Sequence, residues 1–119
     1  MNGRCTLGRC ERICSSADFR RVVTEGRAFR NRMFVLGVAA STRKHHRLGL
    51  SVSAKRVKQA TARTRIRRLI KESFRQIRPA IKGGACDIVL TYRGTGNART
   101  NFDNIDKNIR HVLMRAGLL

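Results

Sequence analysis

The stretch LGLSVSAKRVKQATARTRIRRLIKESFRQIRPAIKGGACDIVLTYR, residues 48–93, decides the fold. It opens with Leu48, Leu50 and Val52 alternating with Gly49, Ser51 and Ser53, the period-two pattern of a strand with one apolar face and one small, polar face. Residues 60–78 switch to the helical period: Ile66, Leu69, Ile70, Ser73, Phe74 and Ile77 fill one core-facing arc, Pro79 closes the segment, and Gly83-Gly84 form a turn. Cys86–Arg93 alternates again, with Ile88, Leu90 and Tyr92 against Val89 and Thr91. Strand, long helix, strand is the pattern of a parallel crossover, so helices are expected on one sheet face with the other left open. The face carrying Gly49, Ser51 and Ser53 has two readings: an ordinary solvated face, or a floor that another backbone approaches closely, as in a groove.

Working outward, Phe29–Ala40 is β-branched, aromatic or small and reads as one strand, apolar on both faces over 33–38, followed by a charged turn from Ser41 to His46. Ahead of it, Ser15 and Asp18 form an S-x-x-D capping box, Phe19, Val22 and Val23 supply a short apolar stripe, and Gly26 suits the position after a helix end, giving a helix over 15–25. Residues 1–14 read as a basic, irregular arm ahead of a single domain over 15–119. At the other end Asn101 can cap a helix whose stripe is Phe102, Ile105, Ile109, Val112, Leu113 and Ala116, stopped by Gly117. The order from pattern alone is αββαβα.

A chain of 119 residues, 41% of them hydrophobic, is sized for one folded domain. Its 27 lysines and arginines against 7 acids leave a net charge of +20. That surplus repels itself in a compact state unless a polyanion neutralises it, and nucleic acid is the obvious polyanion. The longest apolar stretch, Met33–Ala40, is far too short to span a membrane, and no apolar segment follows Arg4, Arg9 and Arg12, so a cytoplasmic protein without a secretory signal is expected. Cys5, Cys10 and Cys14 have C-x4-C-x3-C spacing, unlike a structural zinc site; they and Cys86 read as reduced thiols, with a metal as the alternative.

The charge is concentrated. Between Lys55 and Arg78 lie ten basic residues and one acid, Glu72, so nine of the twenty net charges come from 24 positions. Arg63, Arg67, Lys71 and Arg75 recur every four residues, which stacks like charges on one helix face at a cost of about 0.2–0.5 kcal/mol per pair. Arg63 and Arg65 also stand in the first turns, where the helix dipole disfavours cations. Several small penalties of one sign argue against a merely solvated face, for which mixed Lys and Glu would serve. Seven of the ten are arginine, whose planar fork grips phosphate bidentately and stacks on bases. Autonomous metal-dependent cleavage needs clustered carboxylates, whereas the seven acids are scattered apart from Asp103 and Asp106, which read as first-turn acids of the last helix. His45, His46 and His111 read as surface residues, and no catalytic constellation stands out.

The run from Ala62 to Arg75 resembles the signature of the bacterial ribonuclease P protein subunit, R-N-R-x-K-R-x-x-R/K-E-x-F-R. Leu48–Lys55 resembles that family's G-L-S-V-S-K-K strand, and Ser16-Ala17-Asp18-Phe19 its first-helix entry; the likeness spans about residues 13–116. The resemblance implies an α/β (α+β) two-layer sandwich with a four-stranded sheet and a left-handed βαβ crossover, the architecture of ribosomal protein S5 domain 2. It implies removal of the 5′ leader from precursor tRNA by a ribonucleoprotein endonuclease, with the RNA partner holding the catalytic Mg2+ and this chain binding that RNA and the leader. By position, Arg63, Thr64, Arg65, Arg67, Arg68, Lys71 and Arg75, with Lys55, Arg56 and Lys58, form the surface toward the catalytic RNA. Phe19, Met33, Val35, Gly37, Gly49 and Ser51 line the leader cleft, where a single strand lies close to small residues and stacks on an aromatic. No catalytic residue, metal ligand, membrane or obligate protein partner is expected of the chain itself. Three departures stand out: Thr64 replaces the usual asparagine, Ala54 replaces a lysine, and Val23 and Gly37 occupy positions where some members carry aromatics. The alternative is a non-enzymatic RNA-binding protein associated with the ribosome or its assembly.

Overall fold

A computed structural model describes residue 13 and residues 16–41, 45–82, 84–94 and 100–119. Apart from Ile13, whose N–H donates to the Leu48 carbonyl at 3.0 Å, the expected arm falls outside the described residues, as do the capping serine, Ser15, and Cys5, Cys10 and Cys14. Seven main elements follow one another: α1 (Ser16–Glu25), β1 (Arg27–Arg30), β2 (Phe34–Ala40), β3 (Arg47–Val52), α2 (Ala60–Ile77), β4 (Cys86–Tyr92) and α3 (Phe102–Arg115). They form one four-stranded sheet of order β1-β2-β4-β3, in which β3 and β4 are parallel neighbours joined through α2 and the other pairings are antiparallel. The parallel crossover, the four strands and the two-layer core agree with the expected fold.

One expectation is corrected. The strand read over 29–40 is two strands, because Asn31 turns the chain: its Oδ1 accepts the backbone N–H groups of Met33 (2.9 Å) and Phe34 (2.8 Å), and its own N–H donates to the Phe34 carbonyl. The order is therefore αβββαβα. Asn31 Nδ2 also donates to the Asn108 carbonyl at 3.0 Å, tying the hairpin to α3.

The core lies between one sheet face and the pair α2 and α3. Phe34, Leu36 and Val38 of β2, Leu48 and Val52 of β3 and Ile88, Leu90 and Tyr92 of β4 meet Ile66, Ile70, Phe74 and Ile77 of α2 and Ile105, Ile109, Val112 and Leu113 of α3. The Phe34 and Tyr92 rings meet edge to face at 5.8 Å. Ser73, read within the apolar stripe of α2, is fully buried and donates its hydroxyl hydrogen to Asp106 Oδ1 at 2.7 Å, so Asp106 joins the two helices. Asn101 caps α3 by accepting the Asn104 N–H, as its position predicts. Gly117, at φ 78°, closes α3 in a Schellman turn, with Gly117 N–H on the Met114 carbonyl and Leu118 N–H on the Leu113 carbonyl.

The second correction concerns the other face. It is not left open, because α1 lies across it. A Cβ added to Gly49 would stand 3.1 Å from the Phe19 ring and 3.3 Å from Val89, and one added to Gly37 would meet Val22 at 3.5 Å. The small residues of that face therefore seat α1, which satisfies the close-approach reading with a helix of the chain itself. Gly26 lets the chain turn tightly from α1 into β1, its Cα packed against the carbonyls of Val22 and Val38.

Candidate nucleic-acid interface

The strand register divides the face beneath α1 into rows. Ala39, Asp87 and Arg47 form one row; Ala28, Gly37, Val89 and Gly49 form the next; Arg30, Val35, Thr91 and Ser51 form a third, and these last two cross all four strands. The middle row seats α1 through Val22 and Phe19. In a helix of 3.6 residues per turn, with Val22 aimed at the sheet, Asp18 and Arg21 fall on one flank and Phe19 and Val23 on the other. Asp18 and Arg21 meet the Arg47/Asp87 row, so Phe19 and Val23 form a wall along the third row. Val23 is 56% exposed, and Val35, Ser51 and Thr91 are each half-buried, so this strip is a floor with an open side.

Of the residues expected in a leader cleft, Phe19, Val35 and Ser51 share this strip. Gly37 and Gly49 lie under α1 instead. Met33 precedes β2, packs its side chain against the core and accepts the Arg93 N–H with its carbonyl at 2.7 Å. Arg30 and Thr91 join the strip although sequence patterning did not single them out; only the pairing register brings them there.

The basic surface occupies the outer side of α2 and the loop before it. Val57, buried, anchors that loop, and Lys55, Arg56 and Lys58 are exposed around it. Arg63 bends back on the loop: its Nη1 donates to the carbonyls of Val57 (2.8 Å) and Lys58 (3.1 Å). Arg63 is thus partly a loop clasp. Arg65, Arg67 and Arg68 are exposed and form no ion pair with the described residues, while Thr64 beside them is exposed and Lys71 half-buried. Arg75 is paired with Glu72, through Nε to Oε1 at 3.1 Å and through a second contact from Nη2 to Oε2. That hydrogen bond, with another from Gln76, holds the Glu72 carboxyl below its ordinary range. The first turn of α2 carries no acid, so nothing there offsets the cations at its positive end.

The two surfaces lie on opposite sheet faces, and the loop over 53–59 joins them. Arg56 Nη1 donates to the Arg93 carbonyl at 2.9 Å, which places the basic loop at the end of β4. Among the described residues no three His, Cys, Asp or Glu side chains converge to hold a metal ion. No helix among the described residues is long and apolar enough to cross a membrane. The surface reading of His46 is corrected: it is half-buried, and its Nδ1 accepts the Cys86 N–H at 3.0 Å.

A four-stranded α+β sandwich with an arginine stripe on one helix that forms no ion pair among the described residues, and a floored strip beside another helix, is the build of a nucleic-acid-binding domain. The family model for ribonuclease P matches residues 7–117. The ribonuclease P protein component of Clostridium kluyveri is 37% identical over 108 residues, covering 90% of this chain and 95% of the relative. That of Clostridioides difficile is 37% identical over 113 residues, covering 94% and 96%. Among solved structures, the ribonuclease P protein of Staphylococcus aureus superposes with a TM-score of 0.80 at 32% identity, covering 91% of this chain and 96% of that one. The Thermotoga maritima protein gives 0.77 at 29% identity, covering 88% and 96%. The chain belongs to the ribonuclease P protein family.

Proposed function

We propose that the chain is the protein subunit of ribonuclease P, that it binds the catalytic RNA through α2 and the loop before it, and that it grips the 5′ leader of precursor tRNA in the strip beside α1. The observation that carries this reading is the unpaired stripe Arg65, Arg67 and Arg68, continued by Lys55, Arg56 and Lys58, within a family match that spans nearly the whole chain. In this reading Phe19 stacks on a leader base, Val35 and Val23 flank it, and the hydroxyls of Ser51 and Thr91 face the strand from the floor. Thr64 offers one hydroxyl where the family pattern has an amide, so it supports a single contact to the RNA. This reading leaves the Mg2+ of the reaction with the RNA; among the described residues no three His, Cys, Asp or Glu side chains converge to hold a metal ion. Cytoplasmic residence, where that RNA and its substrate are made, goes with the same reading.

Reconstitution tests it. Added to the catalytic RNA at low Mg2+, the chain should accelerate leader removal from a precursor tRNA. Phe19→Ala should lower affinity for precursor over mature tRNA by about 1–3 kcal/mol while leaving mature tRNA binding intact. An RNA whose turnover the chain leaves unchanged, or an equal loss for both tRNAs, refutes the subunit reading and the leader reading respectively.

A further inference from the structure

Under the other flank of α1 lies an ion cluster, buried on its sheet side and partly exposed on its helix side, that the proposed RNA contacts do not use. Asp87, on β4, is fully buried, and Arg47, on β3, is 4% exposed. Arg47 grips the Asp87 carboxylate with both arms of its fork, Nε to Oδ1 at 2.9 Å and Nη2 to Oδ2 at 2.7 Å. From α1, Arg21 Nη2 donates to the same Oδ2 at 2.5 Å, and Asp18 Oδ2 accepts from Arg47 Nη1 at 3.3 Å. Two arginines and two aspartates thus interlock, one of each on the helix and one of each on the sheet.

The cluster is an expensive way to dock a helix. A buried ion pair recovers its desolvation only with close geometry, and apolar side chains of similar volume would do as well. The chain has only seven acids against 27 bases, yet two of them sit here. Against this, α1 is only ten residues long, and the apolar contacts that set it against the sheet glycines, Val22 over Gly37 and the Phe19 ring over Gly49, do not define one angle of rotation about its own axis. Charge pairs with defined geometry supply what two apolar contacts cannot, which is orientation. Because Asp18 is next to Phe19, and the charged flank is opposite the Phe19/Val23 wall, any roll that opens the ion cluster swings that wall over the strip.

We propose that Asp18, Arg21, Arg47 and Asp87 are positioning residues for leader recognition: they set the roll of α1, and with it the angle at which Phe19 faces the row Arg30, Val35, Thr91 and Ser51. This rests on the leader reading above.

The test uses the full chain assembled with the catalytic RNA and the double variant Asp18→Asn/Arg21→Met. The pair of changes conserves net charge, so bulk electrostatics are unaltered, and it leaves the buried Arg47–Asp87 pair complete, so the sheet keeps its partner. Contact between the Phe19 ring and the Gly49 α-protons, read by NMR, should weaken. Precursor-over-mature preference should fall roughly three- to tenfold, because only the fraction of molecules with α1 correctly rolled binds the leader fully. Affinity for the catalytic RNA should be unchanged. Single Asp18→Glu, which retains the carboxylate, should keep more of the preference than Asp18→Asn. A double variant with full precursor preference overturns the proposal, as does one that loses catalytic-RNA affinity in equal measure. Phe19→Ala in the same assay separates the two layers. If it lowers the preference and the double variant does not, only the positioning role fails; if it does not, the leader reading fails and takes the positioning role with it.

Discussion

Replacing Arg65, Arg67 and Arg68 together with alanine isolates the electrostatic part of RNA binding. These three guanidinium groups are exposed and form no ion pair with the described residues, so removing them deletes the proposed phosphate contacts without breaking an ion pair within the described residues. Six cations are exposed over the loop and the first half of α2: Lys55, Arg56, Lys58, Arg65, Arg67 and Arg68. At about 0.7–0.9 per neutralised phosphate they give a slope of log K against log salt of roughly −4 to −5, and the triple variant should be shallower by about 2 to 3. Between about 50 and 200 mM salt that difference removes roughly 20- to 40-fold of the salt sensitivity. The assay is a binding titration against the catalytic RNA over a salt series, with the thermal midpoint of the free variant confirming that the fold persists. Arg75→Ala should change the slope by less than one charge, because Glu72 already neutralises that guanidinium. Glu72→Gln should steepen it by releasing Arg75. A triple variant with the wild-type slope would refute the assignment of this face to RNA.

Four further outcomes follow from the packing. Gly26→Ala sets a Cβ 2.6 Å from the Val22 carbonyl oxygen and 2.9 Å from the Val38 carbonyl carbon, backbone atoms with no rotamer to yield, so denaturant unfolding should show a loss of about 1–3 kcal/mol; wild-type stability would contradict the α1–β1 junction. Asn101→Ala removes the acceptor for the Asn104 N–H and should cost about 1 kcal/mol in the same measurement, with Asn101→Asp costing little. Burial, then the neighbouring charge of His45, pushes His46 below 6.5, so the unfolded chain takes up that proton first and stability should fall as pH drops through 6.5 toward the folded value; His46→Gln should flatten this part of the thermal midpoint profile. Burial pushes the Asp87 carboxyl up, but the hydrogen bonds and charge of Arg47, a Ser41 hydrogen bond and the Arg21 charge outweigh it, so its contribution is complete above 3.8 and should be lost only as pH falls below that through the folded value.

The parts of the fold that were legible in the sequence are those where burial repeats along one element. Ile66, Ile70, Phe74 and Ile77 announce the inner face of α2, and Ile105, Ile109, Val112 and Leu113 that of α3, because a single apolar partner covers each stripe. The hairpin at Asn31 was hidden because no glycine marks it; its signal is the polar trio Arg30-Asn31-Arg32 interrupting an apolar run, and an asparagine able to accept from the amides two and three residues on. Which sheet face α1 covers was also hidden, since a stripe of glycine and serine suits a helix or a nucleic-acid strand equally. The cations of α2 were visible as an excess, but not which of them are committed within the chain: Arg63 to loop carbonyls and Arg75 to Glu72. Those pairings depend on side-chain reach, which periodicity does not encode.

The placement of the acids explains how a chain of net charge +20 keeps one surface uncompensated and still folds. Asp87 and Asp18 are drawn to the reverse side of the sheet by Arg47 and Arg21, and Asp106 to the helix interface by Ser73, with Arg110 one turn away. Asp103 stands in the first turn of α3, where it meets a favourable dipole, and Glu72 serves only the far half of α2 through Arg75 and Gln76. Each of these five carboxylates relieves repulsion or orients an element somewhere other than the stretch from Lys55 to Arg68. An acid placed at that stretch, at Thr64 for example, would relieve like-charge stacking and complement the positive end of α2 at once, raising the stability of the free protein. In the proposed complex it would also put a carboxylate beside Arg65 where a phosphate is to bind. Thr64→Glu should therefore make the isolated chain more stable and its RNA complex weaker, and a variant that gained in both would show that the uncompensated charge is not held open for RNA.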